Sequence, residues 1–258
     1  MRTTGDIYTL LLATALGCAG FISAWHFGRV DTPAISALVI MLIAAWLGIT
    51  GHRGHQIGIY TGFIAAVILS LHYWPGFDSQ LIWASRQLCP DCASFNLYLH
   101  FDQLLIITIW LPLLIGQLAP KAGVDVWLVA LGSLVGAIAA GIALGLIAFD
   151  PRLPSQALFI FAGLNLITVI TEEILFRGFL QGRILKPLGS VHAWWISAII
   201  FGAAHLAFAG PEFAAVAAIA GLGYGYVFWK TGSLIPAIAL HWLVNVIHFS
   251  LFSYPYLA

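Results

Sequence analysis

Apolar segments of membrane-spanning length recur along almost the whole chain. Short polar or turn-rich breaks separate about nine of them, and the long ones reach the roughly 20 residues with which a helix crosses a bilayer. Because lipid offers no partners to backbone N–H and C=O groups, each span must satisfy them internally, as a helix does. The pattern predicts an all-α, polytopic transmembrane helical bundle of about eight or nine spans. The predicted spans are residues 7–27, 33–50, 57–74, 104–118, 124–149, 156–180, 192–209, 213–229 and 234–252.

Composition agrees with a membrane protein and excludes one class of partner. Only 8% of the residues are charged and 61% are hydrophobic, whereas soluble domains carry about 25% charged residues. The formal net charge is zero, so there is no electrostatic case for a nucleic-acid partner. The first apolar run, from Ile7 past Trp25, is long enough to span, which favours a retained helix over a cleaved signal peptide.

The distribution of Lys and Arg predicts the orientation. With a cytoplasmic N-terminus, seven basic residues lie on the cytoplasmic side and three on the other. Low charge and short loops favour a prokaryotic plasma (inner) membrane. The cytoplasmic group is Arg2, Arg53, Lys121, Arg177, Arg183, Lys186 and Lys230, and the outer group is Arg29, Arg86 and Arg152.

The longest predicted loop, residues 75–103, contains Cys89 and Cys92 in "LCPDCASF". This loop is outside in the predicted topology, where thiols can pair. A CxxC pair can be redox-active, structural or metal-binding. There is no second CxxC, and only Cys18 remains elsewhere. We therefore favour a structural disulfide or spectator thiols.

Two adjacent carboxylates and an arginine stand near the end of one span, in "TEEILFRGFL". Ionisable residues inside a span are costly and mark a functional site or a buried pair. Glu173 and Arg177 are four apart, so they share a helical face and can pair. Glu172 lies about 100° around the helix and can point into a cavity. The alternative is a solvated helix end, since "GRILK" follows directly.

Two later spans carry the other polar residues of interest. Phe201 and His205 in "FGAAHLAF" share a helical face, as do His241 and Asn245 in "LHWLVNVIHF". Taken alone, such a His is more often a hydrogen-bonded core residue, and such an Asn can simply bond a neighbouring helix. Together with a carboxylate, they supply what hydrolysis needs: a general base for water and donors for an oxyanion.

Zinc is a competing use of the same side chains. Glu172, His205 and His241 could bind the ion and leave a position open. The helical zinc-protease signature HExxH is missing from the sequence, but a site assembled across helices needs no such spacing.

The motifs EExxxR, FxxxH and HxxxN, in this order on successive spans, resemble those of the CPBP intramembrane proteases. These form the CAAX-prenyl-protease and bacteriocin-processing group, also called the Abi family. The segment "GYGYVFWKTGSLIPAIALHWLVN", residues 223–245, looks like the last block of that family. The resemblance covers about residues 155–250. The motif residues are Glu172, Glu173, Arg177, Phe201, His205, His241 and Asn245.

The resemblance implies an intramembrane endopeptidase that cuts near the C-terminus of a membrane-bound or lipid-anchored protein or peptide. Glu172 would activate water with His205 beside it, and His241 and Asn245 would form the oxyanion hole. Glu173 and Arg177 would support the site, as would Phe201 in the FxxxH motif. It also implies a metal-free mechanism, with zinc as the alternative.

The resemblance further divides the chain. Residues 1–150 would form N-terminal transmembrane helices, about five spans, and residues 151–258 a catalytic transmembrane core. Two other functions stay open: a non-catalytic membrane scaffold or bacteriocin-immunity protein, and a thiol–disulfide enzyme that uses Cys89 and Cys92. The expected partners are a membrane-associated substrate and the lipid bilayer; the sequence does not indicate an oligomeric state.

Overall fold

The computed structural model describes residues 4–50, 54–116, 123–152 and 156–258. Most of these residues lie in apolar helices, and a π-helical segment directly continues α6. In chain order the elements are α1 (Thr4–His26), α2 (Ala34–Thr50), α3 (His55–Ser70), β1 (Ser79–Arg86), β2 (Phe95–His100), α4 (Phe101–Leu114), α5 (Val124–Ala143), α6 (Gln156–Glu173), the π-helical segment (Ile174–Ile184), a 3-10 turn (Lys186–Leu188), α7 (Ser190–Ala204), α8 (Leu206–Thr231) and α9 (Leu234–Leu251).

The predicted polytopic helical bundle is confirmed, with changes in span length. In the described part of the chain, five helical stretches are long and apolar enough to cross a membrane. The helices α2, α3, α4 and α7 are apolar but have only 14–17 residues, fewer than the roughly 20 of a full span. The five long stretches are Gly5–His26, Val124–Ala143, Gln156–Ile184, Leu206–Thr231 and Leu234–Leu251.

The long loop between α3 and α4 contains a β-hairpin, which the sequence analysis did not predict. Strands β1 and β2 pair antiparallel, with Ser79 opposite His100. Cys89 and Cys92 form a disulfide in the connection between the strands. The backbone of Cys92 also forms a bridge with Leu257. The hairpin is therefore tied to the C-terminal end of the chain.

The boundary between the predicted spans 192–209 and 213–229 is wrong. Helix α7 ends at Ala204, and α8 begins at Leu206 with a kink a few residues later. Gly210 has φ of 81° at that kink, a left-handed conformation that glycine adopts at little cost. Pro211 follows with a fixed φ suited to the first turn of a helix. His205 consequently stands at a helix junction, where its side chain is not part of a continuous helical face.

A continuous apolar core joins the N-terminal helices to the π-helical segment. It runs from Leu10 on α1 to Leu234 on α9 and includes Phe179. Trp110 on α4 meets Phe179 edge to face, with ring centroids 4.6 Å apart. Residues on α4 thus help to position the helix that follows the two glutamates.

Candidate active site

Two adjacent glutamates end α6 and have different environments. The Glu173 side chain is fully buried, whereas that of Glu172 is 26% exposed. Successive residues on a helix point about 100° apart, so neighbours can face a packed interior and an open site. The π-helix begins at the next residue, Ile174, and π-helical turns occur frequently at functional sites.

Glu173 forms a buried ion pair with Arg177. Arg177 Nη1 donates to Glu173 Oε1 at 3.0 Å, and both side chains are fully buried. The guanidinium also lies 4.6 Å from the centre of the Phe201 ring and 5.3 Å from that of Tyr224. Two buried ions remain stable only when their geometry and additional hydrogen bonds offset the loss of water. The side chains around this pair must therefore keep an arrangement that compensates both charges.

Helix α8 supplies those additional hydrogen bonds through backbone carbonyls. Arg177 Nη2 donates to the Gly221 carbonyl at 3.0 Å, and Gln181 Nε2 donates to the Gly225 carbonyl at 2.8 Å. A Cβ on Gly221 would lie 3.0 Å from the Phe201 ring and 3.4 Å from Arg177 Nη2. The absence of a side chain at Gly221 lets α8 approach closely enough for its carbonyl to bind Arg177.

His241 on α9 connects the two glutamates. Its Nδ1–H donates to Glu173 Oε1 at 2.8 Å, and its Nε2 lies 3.6 Å from Glu172 Oε2. The Tyr224 ring stacks on the imidazole with centroids 4.4 Å apart. Glu173 therefore fixes the tautomer and direction of His241, as carboxylates do for catalytic imidazoles. The 3.6 Å separation exceeds a direct hydrogen bond and suits two groups that act on a shared water or substrate atom.

His205 and Asn245 line one cavity together with His241. The cavity measures about 90 Å³, well above the ~10–15 Å³ that holds a water molecule. His205 Nδ1–H donates to the Phe201 carbonyl at 2.8 Å, which leaves Nε2 as an acceptor. Asn245 Nδ2 donates to Asn165 Oδ1 at 3.2 Å. The cavity thus combines imidazole and amide groups with apolar walls.

A larger cavity of about 490 Å³ lies between α1 and α4. Its lining is mostly apolar, with Arg29 as its charged residue. It contains none of the predicted site residues. We therefore place the candidate site at the smaller cavity, because its lining contains the imidazole and amide groups.

The structure brings together most of the residues that the sequence analysis singled out. Glu173 contacts both Arg177 and His241, and Glu172 lies beside His241. In the described residues the imidazole within 4 Å of the Glu172 carboxylate is that of His241, and no hydrogen bond or ion pair joins Glu172 to His205. The reason is local: His205 follows the end of α7 and turns its Nδ1 back to that helix.

The alternative zinc set does not assemble in the same way. Across the described ranges, Glu172, His205 and His241 do not place one ligand atom each within 4.8 Å of one another. His241 Nδ1 is already bonded to Glu173. These three side chains would have to rearrange to share one ion.

Two residues of the site were missed by sequence reasoning. Asn165 binds Asn245, and Tyr224 stacks on His241. The sequence could have indicated Asn165, because a polar residue in "FAGLNLITV" is unusual inside a span and can bond a neighbouring helix. No such signal marked Tyr224, since its contact depends on how α8 packs against its neighbours. Gly221 and Gly225 have the GxxxG spacing that lets helices approach closely, and the Gly221 carbonyl accepts from Arg177.

Comparison with known proteins found one region of similarity. Residues 154–247 match the model of the family described as type II CAAX prenyl endopeptidase Rce1-like. This part of the chain, about a third of its length, is similar to the Rce1-like family. The comparisons with curated proteins and with solved structures gave no match. All the motif residues, from Glu172 to Asn245, fall inside the Rce1-like region.

Similarity to the Rce1-like family indicates the general class of activity. The family implies a protease, and therefore a hydrolase, that works in the lipid bilayer on a membrane-associated substrate. The apolar helices of the structure agree with an integral membrane protein.

Replacing Arg177 by Met should destabilise the folded protein. The change leaves the Glu173 carboxylate buried without its cation, which costs about 3–5 kcal/mol. We expect the midpoint of thermal unfolding in detergent to fall clearly. The double variant Glu173→Gln/Arg177→Met, which contains no unpaired charge, should recover part of that loss.

Glu172→Gln is the matched control, because its side chain is partly exposed and should change the free energy of unfolding by less than about 1 kcal/mol. Equal unfolding midpoints for Arg177→Met and the unmodified chain would contradict the role of the buried pair.

Proposed function

We propose that the chain is an intramembrane endopeptidase that hydrolyses a peptide bond near the C-terminus of a membrane-associated or lipid-anchored protein. The observation that carries the proposal is the arrangement of the two glutamates around His241. Glu172 is partly exposed and lies 3.6 Å from His241 Nε2. The buried Glu173–Arg177 pair holds the other nitrogen of the same ring.

Glu172 is the proposed general base. It takes a proton from a water molecule as the water oxygen attacks the carbonyl carbon of the scissile peptide bond. The protonated Glu172 then gives that proton to the leaving nitrogen when the C–N bond breaks. His205, whose Nδ1–H is bonded to the Phe201 carbonyl, can accept a hydrogen bond from the water through Nε2.

His241 and Asn245 are the proposed oxyanion donors. The tetrahedral intermediate carries a negative oxygen that fixed donors in a dry cavity stabilise strongly. One amide N–H of Asn245 donates to Asn165, and its second amide N–H can donate to the oxyanion of the intermediate. His241 offers Nε2–H when the ring is protonated. Glu173 and Arg177 position His241 and touch no substrate in this mechanism.

Replacing Glu172 by Gln should abolish proteolysis, because an amide cannot accept the proton of the attacking water. The C-terminal peptides of membrane fractions should be compared between cells with the unmodified chain and cells with Glu172→Gln at matched expression. We expect a defined set of C-terminal tails to stay uncut in the variant, with cleavage reduced by about 100-fold or more.

Glu212→Gln is the control, since it makes the same chemical change at an exposed carboxylate near the start of α8. Its C-terminal peptides should match those of the unmodified chain. Identical tails in all three samples, with folded and abundant Glu172→Gln, would favour the membrane scaffold instead.

The proposed mechanism uses no metal ion. It is supported by the hydrogen bond that occupies His241 Nδ1 and by the separation of the ligand atoms of Glu172, His205 and His241. In a zinc enzyme the ion would activate the water, and Glu172 would be a ligand.

Strong chelation should therefore leave cleavage intact. Purified protein in detergent would be treated with a chelator that binds zinc, and cleavage of a substrate tail found by the peptide comparison would be followed. We expect a rate within about twofold of the untreated sample, because Glu172 itself activates the water. Loss of cleavage that added Zn²⁺ restores, with the midpoint of thermal unfolding unchanged by the chelator, would overturn the metal-free mechanism.

We also propose that residues 151–258 form the catalytic part and that residues 1–150 support it. The support comes from the shared apolar core, in which Trp110 packs on Phe179 next to the glutamate-bearing helix. Thr108 and Leu105 line the large apolar cavity on the other side of α4.

A cytoplasmic N-terminus in a prokaryotic plasma membrane is the proposed orientation. Helix α4 begins at the hairpin, and Ile115 just after it accepts a hydrogen bond from Leu234 at the start of α9. Lys230 therefore lies at the opposite end from the hairpin and its disulfide. Oxidising surroundings favour the outer side for a disulfide. Of the basic residues used above, Arg2, Arg53 and Lys121 lie outside the described residues.

Labelling with a membrane-impermeant maleimide tests this orientation in a Cys18→Ser background. Tyr73→Cys, at a position 77% exposed beside the hairpin, should react in intact cells. Lys230→Cys should react only after the membrane is permeabilised. The reverse pattern would place the hairpin inside the cell.

A further inference from the structure

A second cluster of ionisable side chains lies outside the Rce1-like domain. His72 follows α3, His100 ends β2, and Asp102 stands in the first turn of α4. Their potential ligand atoms all lie within 4.8 Å of one another, and no other described residues form such a group. The cluster shares no residue with the site around Glu172.

The three side chains are held by specific contacts. His72 Nδ1 lies 2.8 Å from Asp102 Oδ2, and the two imidazole rings stack with centroids 3.7 Å apart. Ser79 Oγ lies 2.8 Å from His100 Nδ1. Asp102 Oδ1 accepts a hydrogen bond from the Gln103 backbone at 2.7 Å. Each ligand candidate is thus oriented by a neighbour before any ion is present.

A serine–histidine–aspartate triad is the first alternative to consider, and the contacts do not form one. In a triad a single imidazole binds both the hydroxyl and the carboxylate. Here Ser79 binds His100, whereas Asp102 binds His72. The set lacks the proton path that would activate Ser79.

We propose that His72, His100 and Asp102 bind a divalent transition-metal ion such as Zn²⁺. Two imidazoles, one carboxylate and a water molecule are a common tetrahedral set for this ion. Asp102 is only 1% exposed, so its charge is poorly solvated and attracts a cation. The His72 side chain is 34% exposed, which leaves a path for the ion and a position for water.

The geometry is close to that of a formed site. Metal–ligand bonds of about 2.0–2.1 Å place tetrahedral ligand atoms about 3.3 Å apart, compared with up to 4.8 Å here. To bind one ion, the stacked rings would rotate about their side-chain bonds so that one nitrogen lone pair of each points to a common position. If His100 Nδ1–H donates to Ser79 Oγ, Nε2 carries the lone pair for the metal, a typical outer-shell arrangement.

The backbone presents these ligands from three separate segments. Ser79 and His100 are paired across the hairpin, so the strand register fixes His100. His72 has φ of 59°, in the left-handed region where His, Asn and Asp are enriched among residues other than Gly. A bound ion would join the turn after α3, the hairpin and the start of α4. The bound ion would restrict movement of the hairpin relative to α3 and α4.

Titration with Co²⁺, which takes zinc sites and absorbs visible light, tests the proposal on the purified full chain in detergent after chelation. We expect about one Co²⁺ per chain with the absorption of a tetrahedral site. His72→Asn keeps a residue that tolerates the positive φ, and Asp102→Asn keeps the shape of the buried side chain. Each should weaken Co²⁺ binding by at least about tenfold.

His192→Ala is the matched control, because it removes an exposed imidazole on α7 and should not alter Co²⁺ binding. Zn²⁺ should raise the midpoint of thermal unfolding of the unmodified chain and of His192→Ala, since a ligand that binds the folded state stabilises it. The metal-free midpoints show whether His72→Asn and Asp102→Asn are folded. Equal Co²⁺ affinity in folded variants and the unmodified chain, or no binding to the unmodified chain, would overturn the proposal.

Discussion

The buried pair of Glu173 and Arg177 is the constraint on which the arrangement of the site depends. Two ions with no exposure to solvent must be compensated by neighbours, and two other helices contribute to that compensation. Helix α8 brings the Gly221 carbonyl to Arg177, and α9 brings His241 to Glu173. The pair therefore determines how α8 and α9 pack around the end of α6.

The same pair gives two chemically identical neighbours different environments. Glu173 is buried and already has two partners, so it positions His241. Glu172 is partly exposed and stands near the imidazole without a direct hydrogen bond. A proton acceptor for catalysis needs this freedom, whereas the carboxylate that orients a histidine must lack it. The region that is similar to the Rce1-like family, residues 154–247, contains this whole arrangement.

The N-terminal helices belong to the same packed body as the glutamate-bearing helix. Trp110 on α4 contacts Phe179, and the start of α4 carries Asp102 of the proposed metal cluster. The short helix α4 thus connects the hairpin with the part of the core that lies beside the candidate site. Because α4 has only 14 residues, an ion that holds its first turn would also limit movement of the hairpin relative to the bundle.

The sequence determined the membrane class, the helical bundle and the motif residues, because hydrophobic length and three polar motifs are local signals. Spacing also predicted that Glu173 could reach Arg177, since residues four apart share one face of a helix. Sequence did not determine the hairpin, the break beside His205, or the contacts of Tyr224 and Asn165. The tertiary structure alone decided that His241 is the imidazole beside Glu172, because that choice depends on how separate helices pack, and no single segment encodes the distance between them.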